Sequence, residues 1–184
     1  MHAWNAIVEV CMRKAAVLGV LLLLAVVTAS GEDPVVRWRQ VVGIIQAGNV
    51  VGSGTGAIAG GFLPWTTTLS GARVNLATGQ IQFLVKGLVL AGGNGIGTRG
   101  DITAVKGILV CDTNGSAGGG NSTLVQTAAV PLSSDGDANF TGRVGSLPAV
   151  CSSEPDLAFL LRIAEVNGVP VNGPWIANGA VREN

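Results

Sequence analysis

The sequence predicts an all-β protein: an antiparallel β-sandwich, Greek-key or jelly-roll-like, of about eight or nine short strands behind an N-terminal helical signal segment. Three observations carry that expectation. Apolar and polar residues alternate with period 2 through most of the chain beyond residue 30. Turn glycines, drawn from 28 in the 184 residues, punctuate it at intervals of about 8–12 residues. No segment beyond residue 30 repeats its apolar residues at the 3.6 period of an amphipathic helix.

The elements follow in chain order. Arg13 and Lys14 precede an apolar run from Ala15 to Val27, and the small residues Thr28, Ala29 and Ser30 follow it. That is the three-part layout of a secretory signal peptide, cleaved after Ala29 or Ser30, with a core short for a membrane span. An uncleaved anchor is the alternative. Met12 opens an ordinary signal peptide by itself, so residues 1–11 read as an extension ahead of the true start. The expected organisation is a signal segment at 1–30 and one β-sandwich domain at 31–184, exported to the periplasm, the cell surface or the medium. Removal of the segment leaves no stable membrane span.

The predicted strands are 36–47, 50–59, 65–76, 80–91, 102–112, 124–132, 137–145, 157–166 and 174–182. Between them, residues 115–122 (GSAGGGNS) read as a flexible loop. Residues 74–83 and 130–140 read as two similar hairpins, each with Val-x-Leu before a turn glycine and a phenylalanine four residues after it. Internal duplication and convergent hairpin chemistry both account for that likeness. Leu157–Ile163 is apolar on both faces except at Arg162, which calls for a carboxylate or carbonyl partner if central and for solvent if at an edge. Trp38, Trp65 and Trp175 read as core plugs.

Composition narrows the chemistry. Lys plus Arg equals Asp plus Glu, at 11 each, and charged residues make up 12% of the chain. That balance is wrong for a nucleic-acid binder, which needs clustered cations. The single histidine, His2, and one of the three cysteines, Cys11, precede the export segment. No imidazole is left beyond it for a Ser-His-Asp or Cys-His hydrolase or for a histidine-ligated metal. Cys111 and Cys151 remain, and an exported pair is expected to close as a disulfide. Two buried thiols are the alternative.

Three loops carry candidate chemistry. Residues 91–100 (AGGNGIGTRG) are dense in glycine, but a strand rather than a helix follows, so a dinucleotide site is not expected. The expected role is a long hairpin loop with several left-handed glycines. Asn94, Arg99 and Asp101 mark it as a surface-binding loop, with Arg99-Gly100-Asp101 matching an adhesion triplet. Asp135, Asp137 and Asn139 alternate like the first half of a calcium loop, yet Phe140 and Ser146 stand where that loop wants glycine and glutamate. They form a candidate ligand or ion site, with a tight hairpin turn as the simpler reading. Asp101, Asp112, Asp135, Asp137, Glu154 and Asp156 are the carboxylates a histidine-free glycosidase would draw on. No catalytic residues, metal set or cofactor are assigned.

The runs at 64–98 (PWTTTLSGARVNLATGQIQFLVKGLVLAGGNGIGT), 107–115, 128–142 and 158–164, with WIANGAVR at 175–182, resemble a family of small exported bacterial β-rich proteins of uncharacterised function. Leu69–Ala72 (LSGA) followed by Thr78-Gly79 bears a more distant likeness to the CHRD domain, a β-rich extracellular module. That domain carries histidines in a later strand where this chain has none. The expected function is a non-enzymatic envelope or extracellular module, structural or binding, whose partner is another envelope or extracellular component. A carboxylate-based secreted hydrolase and a calcium-stabilised adhesion-type module are the alternatives.

Overall fold

The computed structural model describes residues 34–153 and 156–183. The signal segment, the alternative start at Met12, His2, Cys11 and Glu154 lie outside the described residues. Alternation of apolar and polar side chains is realised as extended chain throughout. The strands are β1 (Val35–Gly43), β2 (Val50–Val51), β3 (Ile58–Ala59), β4 (Trp65–Thr66), β5 (Leu69–Asn75), β6 (Gln80–Lys86) and β7 (Val89–Leu90). They continue with β8 (Ile102–Cys111), β9 (Thr123–Gln126), β10 (Val130–Pro131), β11 (Ala138–Arg143), β12 (Leu157–Val166), β13 (Val169–Pro170) and β14 (Trp175–Glu183).

Ten of these strands form one antiparallel sheet in the order β10-β8-β12-β14-β1-β5-β6-β11, with β9 also on β8 and β13 on β12. The sheet curls on itself. Phe83 of β6 and Phe159 of β12 lie four places apart in that order, yet their ring centroids are 5.9 Å apart. Trp38 of β1 reaches the same Phe159 ring at 5.6 Å. The two end strands, β10 and β11, are consecutive in the chain, and the Ser133 N–H donates to the Asp137 carbonyl across their turn. One curled sheet thus supplies both walls of the core, and Val74, Ile81, Val85, Val105, Leu109 and Phe159 are fully buried in it.

The long predicted strands are interrupted in the structure, and each break has a local cause. The 65–76 segment splits at Thr67 and Thr68, whose hydroxyls donate to the Val41 and Lys86 carbonyls. The 80–91 segment splits at Gly87, which takes a left-handed φ of 63°. The 50–59 segment is a small hairpin of β2 and β3 around a 3-10 turn at Gly54–Gly56. Two similar hairpins do place their phenylalanines alike: Phe83 and Phe140 pair directly across β6 and β11, with rings stacked at 5.8 Å.

One short helix interrupts the β pattern: α1 (Ala149–Ser153), following Pro148. It holds Cys151, which is bonded to Cys111 at the end of β8 with a Cα–Cα distance of 4.9 Å. Both cysteines are fully buried, as the alternation of Cys111 with Leu109 and Val105 required.

Two expectations about loops and charges need correction. Residues 115–122 are held rather than loose. The fully buried Asp112 carboxylate accepts from the Ala117 N–H (3.0 Å), the Gly118 N–H (2.6 Å) and the Ser116 hydroxyl (3.3 Å). Its own carbonyl accepts from the Ser122 hydroxyl at 2.7 Å. Glycine and serine content alone does not show that a neighbouring buried carboxylate gathers the loop. Arg162, in turn, is not at an edge. β12 lies between β8 and β14, and Leu160 and Leu161 are both fully buried on its opposite faces. The Arg162 guanidinium donates to the carbonyls of Asn172 and Gly173.

Candidate functional site

The sequence candidates disperse when placed on this sheet. Asp135 is exposed in the turn between β10 and β11. The Asp137 carboxylate accepts from the Gly87 N–H at 3.0 Å, and its N–H donates to the Ser133 hydroxyl. Those are the bonds of the hairpin-turn reading. Asn139 is exposed on β11 and lines the same hollow as Asp137. Among the described residues no three His, Cys, Asp or Glu side chains stand close enough to hold a metal ion.

In the 91–101 loop Asn94 and Asp101 are exposed, while the Arg99 guanidinium folds back on the Ile102 carbonyl of its own chain. Gly93, Gly97 and Gly100 all take left-handed φ values, and strand β8 follows. The Asp156 carboxylate accepts from the Asn114 amide at the far end of β8. Trp38, Trp65 and Trp175 are all buried, at 3–5% exposure, and serve the core.

Asn139 leads to what the sequence reading missed. The outward positions of β1, β5, β6 and β11 form an open trench of about 490 Å³, lined by Arg37, Arg39, Arg73, Gln82, Leu84, Asn139, Thr141 and Glu183 among others. The sheet register explains the grouping. Glu183 pairs with Arg37, Arg37 with Arg73, Arg73 with Gln82, and Gln82 with Thr141, so one row crosses five strands. Arg39 sits two residues along β1 on the same face.

The trench continues at both ends. A hollow of about 530 Å³ shares Arg39, Leu69 and Ser70 with it and runs past Thr66, Thr67 and Thr68. A third, of about 370 Å³, shares Leu84 and Asn139 and reaches Lys86. The opening between β1 and β5 is built into the strands. Their ladder stops at Trp38 and Ala72, and beyond it the Val41 N–H donates to the Ser70 hydroxyl while the Val41 carbonyl accepts from Thr67.

The electrostatics are one-sided. Three guanidinium groups face one carboxylate in the central trench. Arg37 and Arg73 are directly opposed across strands, an arrangement that costs stability because like charges sit about 4.5–5.5 Å apart at the backbone. Glu183 is ion-paired with Arg39, and its hydrogen bond followed by its charge raises the Arg39 pKa above the ordinary value. Arg37 and Arg73 are both exposed on that face, with Glu183 standing opposite Arg37 in register. Chemically the trench offers planar donor forks for anions and amide and hydroxyl groups for neutral oxygens.

The signal that could have found it is the Arg37-Trp38-Arg39 alternation, which sets two cations on the face opposite a core tryptophan. Arg73 joins them only through the pairing of β1 with β5, which no local pattern announces. No known protein family matches the chain, and neither does any curated protein or any solved structure. Among the described residues no helix is long and apolar enough to cross a membrane.

Proposed function

We propose that the chain is an exported, non-enzymatic binding module that holds an anionic envelope or extracellular component on the outer face of β1, β5, β6 and β11. The observation that carries this reading is the directly opposed Arg37–Arg73 pair in a trench with a single carboxylate. Uncompensated like charges side by side weaken a sheet, and an anion placed between them relieves that cost. The export signal read at residues 13–30 and the resemblance to small exported β-rich proteins supply the setting, outside the cytoplasm.

The test is binding to soluble polyanions, followed by calorimetry at low and at physiological salt. The full chain is expected to bind at least one carboxylate polymer, more weakly as salt rises. The Arg37→Ala/Arg73→Ala double variant is expected to lose about tenfold or more in affinity, as removal of charge-assisted hydrogen bonds does. Failure to bind any polyanion at low salt overturns the reading.

A further inference from the structure

We propose that the ligand of this trench is a linear acidic polysaccharide of uronate-type sugars. This inference rests on the anion-binding reading above and gives it a chemical class. In the bound state Arg37, Arg39 and Arg73 hold sugar carboxylates, and Gln82, Asn139 and Thr141 exchange hydrogen bonds with ring hydroxyls.

Four features of the trench favour that ligand. First, it lies on the outward face of the sheet. β1, β5 and β6 each have a strand on both sides and only β11 ends the strand order, so over three of its four strands recognition passes mainly through side chains and not through an open edge that an extended peptide could join. Second, one register row sets two guanidinium forks beside an amide and a hydroxyl: Arg37, Arg73, Gln82, Thr141. A chain of sugars that each carry one carboxylate and several hydroxyls offers that mixture, whereas a simple acidic peptide offers carboxylates without hydroxyls.

Third, the three hollows share lining residues, Arg39, Leu69 and Ser70 between one pair and Leu84 and Asn139 between the other, and together cover a wide area of this face. A small anion would need only one of them. Fourth, the wall residues Leu69 and Leu84 are 57% and 42% exposed, apolar ground against which the C–H faces of sugar rings can lie. A single-stranded nucleic acid would want exposed aromatic platforms for its bases. Here Trp38 and Phe83 are buried at 3% and 4%, and the Phe140 ring is stacked on Phe83.

The deciding experiment compares the full chain's affinity for polygalacturonate, poly-L-glutamate of matched charge and single-stranded polythymidylate. Polygalacturonate is expected to bind about tenfold or more tighter than either of the others, since it alone engages the neutral groups as well as the arginines. Gln82→Ala/Thr141→Ala, two substitutions at surface positions, is expected to weaken polygalacturonate binding more than poly-L-glutamate binding and so remove that preference. Arg37→Ala/Arg73→Ala is expected to weaken both carboxylate polymers. Near-ultraviolet circular dichroism checks that each variant keeps its fold.

Equal affinity for polygalacturonate and poly-L-glutamate overturns the polysaccharide assignment and leaves the anion-binding reading standing, as does a preference for polythymidylate. Binding of none of the three at low salt overturns both. Polygalacturonate binding that is indifferent to all four substitutions places the ligand elsewhere and overturns the assignment to this trench.

Discussion

Gly107 shows how a single side chain, or its absence, sets the curl of the sheet. A Cβ at that position would meet the Phe83 and Phe159 rings at 3.0 Å, so β8 and β6 approach as closely as they do because residue 107 has none. Gly107→Val is expected to cost about 1–3 kcal/mol through overpacking, read as a lowered denaturation midpoint. The same substitution together with Phe83→Leu is expected to recover part of the loss, because one of the two rings that crowd the new Cβ is then gone while Phe159 stays.

Lys106 gives the pH dependence. It pairs directly with Arg162 across β8 and β12 and donates to the Asn172 side chain at 3.1 Å. Burial first, and the Arg162 charge second, hold the Lys106 pKa below that of a free lysine. The unfolded chain therefore binds this proton more tightly than the folded one. Stability accordingly rises as pH climbs from the folded-state pKa towards the ordinary lysine value, and the penalty is fully present below that window. The effect is small, because the ammonium is mostly solvated. Lys106→Met is expected to remove that part of the slope in chemical denaturation across alkaline pH.

At the scale of elements, the Asp112 loop and the strand breaks mark the limit of sequence reading. Strand location was legible wherever alternation ran against a buried face, as in β6, where Ile81, Phe83 and Val85 point inward and Gln82 and Leu84 outward. The disulfide was legible because two cysteines remain beyond residue 30, an even pair expected to close in an exported chain. Breaks at Thr67 and Thr68 were not, since a threonine that bonds a distant carbonyl looks the same in sequence as one that packs in a strand. The trench was illegible for the same reason: its charges belong to three strands, β1, β5 and β14, and only register unites them. Asp112→Ala is expected to cost about 1–3 kcal/mol by removing the buried carboxylate to which the N–H groups of residues 117 and 118 donate. Hydrogen exchange at those two amides is expected to accelerate. Asp112→Asn keeps an oxygen acceptor and tolerates the left-handed φ of 56°, so it is expected to lose less.

At the scale of the whole molecule, the two end strands of the sheet, β10 and β11, are joined directly by the turn at residues 132–137. The Cys111–Cys151 bond closes a loop of 40 residues, for which the chain-entropy account gives about 4 kcal/mol of stabilisation. Cys111→Ala/Cys151→Ala is expected to lower stability by a comparable or smaller amount, measured by thermal or denaturant unfolding.

That crosslink has another consequence, which follows from what lies inside it. The segment from Asp112 to Val150 contains β9, β10 and β11, the whole clasp that draws the sheet's two margins together. A protease that cuts anywhere in this segment leaves two fragments joined by one sulfur bridge. The nicked protein is expected to migrate as a single species without reductant and as two with it. The clasp can be severed at one point and stay tethered at both ends, so damage to its exposed turns does not by itself release any part of the molecule.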